Sequence, residues 1–170
     1  MALKRKAGRL RGLVLAVAAI ILGVNAAAYG QELTRGQTVY VPIYSSVVYG
    51  EPDRKGETPS IPFANLLSIR NIDPKTSIII RSVRYNDENG KMLREETSAQ
   101  RTLAPLASTN VFVSQKDTSA GNGGSFVIRW DADAPANPPI IEGLNIFSLG
   151  TKMGIFVSRG QPVQESPPPK

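Results

Sequence analysis

From Thr38 onward the chain is cut at short intervals by turn residues, and the runs between the cuts are β-branched and aromatic rather than helically periodic. This predicts an all-β domain of about eight short strands, arranged as an immunoglobulin- or fibronectin-like antiparallel β-sandwich, with a small β-barrel as the alternative. The first strand is read over Thr38 to Val48, with Val39, Val41, Ile43 and Val47 on one parity and Tyr40, Pro42 and Tyr44 on the other. Pro42 cannot donate to a ladder, which places this strand at a sheet edge. Residues 50–62 read as a polar loop rich in proline and glycine.

Further strands are expected over Asn65 to Ile72 and Ser77 to Asn86. Asp87-Glu88-Asn89-Gly90 then marks a hairpin, because Asn-Gly accepts the positive φ angles of the favoured turns. The return strand covers Lys91 to Glu96, and Thr109 to Gln115 follows the break at Leu103-Ala104-Pro105-Leu106. After the flexible Lys116 to Gly124 loop, Ser125 to Asp131 alternates cleanly, with Phe126, Ile128 and Trp130 inward. Trp130 is the expected core anchor. Asp133 to Pro139 is a proline-rich crossing, Ile140 to Leu149 and Met153 to Arg159 form a last pair, and the tail from Gln161 reads as disordered.

The head of the chain speaks to location. Lys4, Arg5, Lys6, Arg9 and Arg11 form a positive region, Leu13 to Val24 is apolar, and Ala26-Ala27-Ala28 offers a small-residue cleavage site. The apolar run is short of the roughly 20 residues a spanning helix needs. The expectation is a signal peptide over 1–28, one β-sandwich domain over 29–160, a disordered tail over 161–170, and a periplasmic or secreted product. An uncleaved anchor is the alternative; once the signal is cleaved, no stable membrane insertion remains. With no cysteine in the chain, a bacterial lipid anchor is excluded. Five of the 20 Lys and Arg lie in the head and none of the 14 Asp and Glu do, which leaves fifteen cations against fourteen anions, a net +1. So small a charge argues against nucleic acid as a partner.

There is no histidine either, which removes Ser-His-Asp and Cys-His catalysis and histidine metal sites. Glu95 and Glu96 are neighbours and point to opposite faces of a strand, unlike the carboxyl pair of a glycosidase. The Gly-rich stretch at 119–124 lacks the Gly-Lys-Ser/Thr ending of a phosphate loop. Asp131 and Asp133 with Glu142 could meet at one end of a sandwich and hold a weak Ca²⁺. No enzyme, cofactor or metal is therefore expected. The expected role is an exported binding or structural module of the bacterial cell envelope, with an envelope protein as partner. A carbohydrate- or metal-binding accessory domain is the alternative and a hydrolase comes third. Tyr40 and Tyr44, on the outward parity of the apparent edge strand, are candidate partner contacts, and the loop residues Lys116, Asp117 and Thr118 form a second surface. The tyrosines also fit a strand covered on both faces.

Several short motifs occur in a set order: Tyr40-Val41-Pro42-Ile43-Tyr44-Ser45, Leu67-Ser68-Ile69-Arg70-Asn71 with Asp73, Leu103-Ala104-Pro105-Leu106-Ala107-Ser108 and Lys116-Asp117-Thr118-Ser119. Trp130, Asn137-Pro138-Pro139-Ile140 and Ser158-Arg159-Gly160 complete them. Over about residues 38–160 this order resembles an uncharacterised bacterial family of exported single-domain proteins, a domain of unknown function. The resemblance implies bacterial export and no activity. Many members begin with a lipoprotein signal, which a chain without cysteine cannot share. More loosely, Ile78 to Lys91 followed by Leu103 to Val113 resembles the middle of bacterial immunoglobulin-like domains.

Overall fold

A computed structural model describes residues 32–97 and 99–164. The signal expected over 1–28 lies outside the described residues, as do 165–170. The described chain is an antiparallel β-sandwich of twelve strands. One sheet has six strands in the order β12-β1-β9-β5-β6, with β7 also paired to β5. Its members are β1 (Thr34–Pro42), β5 (Ile78–Asn86), β6 (Met92–Glu95), β7 (Arg101–Leu103), β9 (Ser125–Ala136) and β12 (Gln161–Val163). The facing sheet runs β11-β10-β4-β8, from β4 (Ala64–Arg70), β8 (Ser108–Val113), β10 (Ile140–Leu149) and β11 (Lys152–Arg159). β2 (Ser46–Val48) and β3 (Ser60–Pro62) form a separate hairpin. Neither sheet closes on itself among the described residues, so the barrel alternative falls.

Alternation explains the layers. On β9, Phe126, Ile128 and Trp130 are buried while Val127, Arg129 and Asp131 face outward, and β9 is the central strand, bonded to β1 on one side and β5 on the other. Trp130 is 1% exposed and packs with Val39, Val41, Ile80 and Ile128 in the core, which Leu67, Ile69 and Ile141 close from the opposite sheet.

Five local expectations are corrected. The first expected strand is two: β1 stops at Pro42, and β2 resumes at Ser46. β1 is not an edge, because Thr38, Val39 and Tyr40 pair with Val163, Pro162 and Gln161. Pro42 is accommodated one step past that short ladder. The presumed loop at 50–62 contains β3, and β9 continues through the presumed proline-rich crossing to Ala136. The expected tail begins too early, since 161–163 form β12.

The chain switches sheets at Gly160, between β11 and β12. A Cβ there would lie 2.7 Å from Val39 Cγ1 and 2.9 Å from the Ile141 carbonyl oxygen, to which the Gly160 N–H donates at 2.9 Å. Only glycine lets the backbone approach the core this closely. Gly160→Ala is expected to cost about 1–3 kcal/mol, the usual cost of overpacking, seen as a lower urea midpoint with an unchanged slope.

Candidate functional site

Several of the motif residues gather at the two ends of the sandwich. At the end where β4 leaves and β5 begins, Asn71 is buried and donates from Nδ2 to the carbonyls of Thr76, Leu103 and Ala104 at 2.9, 3.2 and 3.0 Å. Its Oδ1 accepts from the Asp73 N–H at 3.0 Å, and its own N–H donates to Ala107. Asp73, also buried, accepts from the N–H groups of Lys75 and Thr76 and from both the N–H and Nδ2 of Asn137. The Asn137 N–H, followed by those of Lys75 and Thr76, holds the Asp73 carboxyl far below the ordinary carboxylate range against the opposing effect of burial. Asn71, Asp73 and Asn137 thus tie three connections together. Their chemistry is structural.

β5 carries the chain to the opposite end, where Lys116, Asp117 and Thr118 lie. Asp117 receives Arg94 Nη1 at 2.7 Å, and Arg94 also bonds Glu96 at 2.6 Å while its guanidinium lies 4.4 Å over the Tyr85 ring. Burial pushes the Asp117 carboxyl up, but bonds from Ser119 and Arg94 prevail and hold it below its usual value. Lys116 and Thr118 are exposed on either side of it. Glu88, in the expected Asp87–Gly90 hairpin, accepts from the Asn122 N–H and anchors the far part of the loop.

The two candidate tyrosines occupy different environments. Tyr40 points outward from the six-stranded sheet, 38% exposed. Across β9 and β5 from it stand Val127 and Arg84, with Arg129 one step along β9. Arg84 and Arg129 are exposed, and neither enters an ion pair among the described residues. Tyr44 lies beyond the end of β1, half-buried, its ring 5.7 Å from that of Phe156. Phe63 stacks edge-on against both Phe147 and Phe156, so Tyr44 belongs to an aromatic cluster. Its backbone is gripped from both sides: its N–H donates to Asn145 Oδ1 at 3.2 Å, and its carbonyl accepts from Asn65 Nδ2 at 3.0 Å. Tyr44 and the 116–124 loop share an end, through bonds from Ile43 N–H to Gly124 and from Ser45 N–H to Gly121. Tyr40 stands apart on the sheet face.

Sequence reasoning missed Asn65 and Asn145, register partners on β4 and β10 that are fully buried. A polar residue at an inward strand position was the available clue, since it needs bonds to remain there. It also missed the exposed arginines beside Tyr40. The carboxylates raised for Ca²⁺ do not converge. Asp131 lies on the outer face of one sheet, bonded to Arg81 at 2.5 Å, and Glu142 on the outer face of the other. No group of three Asp or Glu among the described residues could hold a metal ion.

A cleft of about 530 Å³ opens between β7 and β8, at the side of the sandwich. Ile80 and Val83 form its floor, and Thr97, Gln100, Thr109 and Asn110 line it. Arg101 Nη1 donates to Thr109 Oγ1 across it, joining the two sheets.

A family model described as a protein of unknown function, DUF3124, matches residues 36–163. No curated protein matches the chain. Among solved structures, the crystal structure of Thermotoga maritima 1070 is similar at 10% identity and a TM-score of 0.39, over 74% of this chain and 92% of that one.

Proposed function

The chain belongs to the DUF3124 family, and from that premise we propose that it is a non-enzymatic binding module of the bacterial cell envelope, exported to the periplasm or beyond. The observation that carries the reading is the outer face of the six-stranded sheet, where Tyr40 stands exposed with Arg84 and Arg129 across neighbouring strands. Tyrosine and arginine are the residue types that dominate binding energy at protein interfaces. The two cations select a partner with an acidic surface. Export is supported by the basic head, the short apolar run and Ala26-Ala27-Ala28; among the described residues, no helix is long and apolar enough to cross a membrane. The Tyr85-x-Asp87-x-x-Gly90-Lys91 hairpin on β5 supports a finer kinship with immunoglobulin-like domains. The Lys116–Thr118 loop is a secondary surface of the same module, through Lys116 and Thr118, because Asp117 is occupied by Arg94.

Crosslinking in cells followed by capture of the tagged chain tests this. Each hot-spot truncation costs about 2 kcal/mol or more, roughly thirtyfold in affinity. Tyr40→Ala with Arg129→Ala is expected to lose the crosslinked partner while the melting temperature stays close to that of the parent. Retention of the partner by a folded double variant would place the contact elsewhere. The cleft between β7 and β8 favours a second reading, carbohydrate binding, because hydroxyl and amide side chains line it above an apolar floor. In that case Asn110→Ala, and not the Tyr40 variant, abolishes retention on envelope polysaccharide.

A further inference from the structure

We infer that the chain forms a two-fold dimer through the outer face of its four-stranded sheet, a surface separate from the one that carries Tyr40. The strand register aligns Val157, Leu144, Leu66 and Phe112 in one row across all four strands. One step along, Ile155 stands opposite Ile146 and Ile146 opposite Ala64. One step the other way, the row is polar: Arg159, Glu142, Ser68 and Asn110. Phe112 is 64% exposed, Met153 71% and Val157 51%. With its half-buried neighbours this apolar area is on the order of 600 Å², at the upper end of what monomers leave uncovered. Adding the polar row brings the face to roughly the 800 Å² per partner of a standard interface.

The arrangement of the rows identifies the occupant. A two-fold axis parallel to the strands leaves position along the strands unchanged and reverses only the order across them. Under that operation the apolar rows of one copy meet the apolar rows of the other, and the polar rows meet each other. Reversing the order across the strands lays β11 over β8 and β10 over β4, so Arg159 meets Asn110 and Glu142 meets Ser68 of the second copy, and no like charges are brought together. An aligned packing of two sheets about 10 Å apart is the ordinary way such faces bury themselves.

Sedimentation equilibrium of the whole chain across the micromolar range tests the inference. The wild-type chain is expected at twice the monomer mass. Phe112→Lys with Val157→Lys is expected at the monomer mass, with an unchanged far-UV spectrum, because both positions are exposed on outer strands. Should that variant fail to fold, Phe112→Ser with Val157→Thr retains strand geometry and carries the same expectation. A wild-type monomer throughout the range would overturn the inference and leave the face to a foreign protein or a lipid surface. A dimer that survives either folded variant would overturn it too. Neither outcome touches the Tyr40 surface, so the partner reading stands or falls separately.

Discussion

Trp130→Ala is expected to destabilise the domain by about 3–5 kcal/mol, a large share of the 5–15 kcal/mol that holds a typical domain folded. The indole is 1% exposed on the central strand of the six-stranded sheet, among side chains from both layers. Removing it opens a cavity that β9 cannot collapse, because ladders to β1 and β5 fix the strand on either side. Its Nε1 has no hydrogen-bond partner among the described residues, so the expected loss is one of packing. Trp130→Phe is therefore expected to recover much of the stability. Urea unfolding of the three proteins gives the measurement, and an alanine variant within about 1 kcal/mol of the parent would contradict the burial.

Asn71→Ala is the second large effect. Its loss removes bonds to three carbonyls (Thr76, Leu103 and Ala104, the last of which keeps the Ala107 N–H) and the acceptor of the Asp73 N–H. Each buried group left unpaired costs about 1–3 kcal/mol. Water entering the site relieves part of that, so a net loss of about 3 kcal/mol is expected. Asn71→Asp is expected to do no better, because a carboxylate cannot donate to carbonyls and adds a charge beside Asp73. Thermal unfolding at neutral pH measures both; a variant as stable as the parent would show that the three connections are held by other bonds.

These two positions differ in how plainly the sequence announces them. Trp130 is legible because β9 has one buried face, and a strand of that kind writes its burial as strict alternation. Asn71 belongs to a recognisable motif, but nothing in its local sequence says which carbonyls it serves; two of them, Leu103 and Ala104, come from a segment far along the chain. The three-residue strands β3, β7 and β12 were illegible for a similar reason. Ser60-Ile61-Pro62, Arg101-Thr102-Leu103 and Gln161-Pro162-Val163 have weak strand preference, and a neighbouring ladder imposes their conformation. Tyr40 and Tyr44 share a parity in sequence, and parity carries over only while the strand lasts. β1 ends at Pro42, after which Asn65 and Asn145 take hold of the backbone and turn Tyr44 toward the other sheet. The apolar outer face of the four-stranded sheet was hidden by β10. Its near-continuous run from Ile140 to Leu149 reads equally well as a strand covered on both sides.

The pairing of β1 with β9 and β12 governs the order in which the domain can assemble. The first strand finds its partners at residues 125–136 and 161–163, both in the last third of the chain. A polypeptide emerging from its N-terminus carries Val39 and Val41 unpaired until nearly all of it is available. Closing so long a loop before any reward is what slows folding of all-β proteins to milliseconds or longer. Stable structure thus waits for the last residues, and throughout synthesis the nascent chain remains a substrate for chaperones that recognise extended apolar segments.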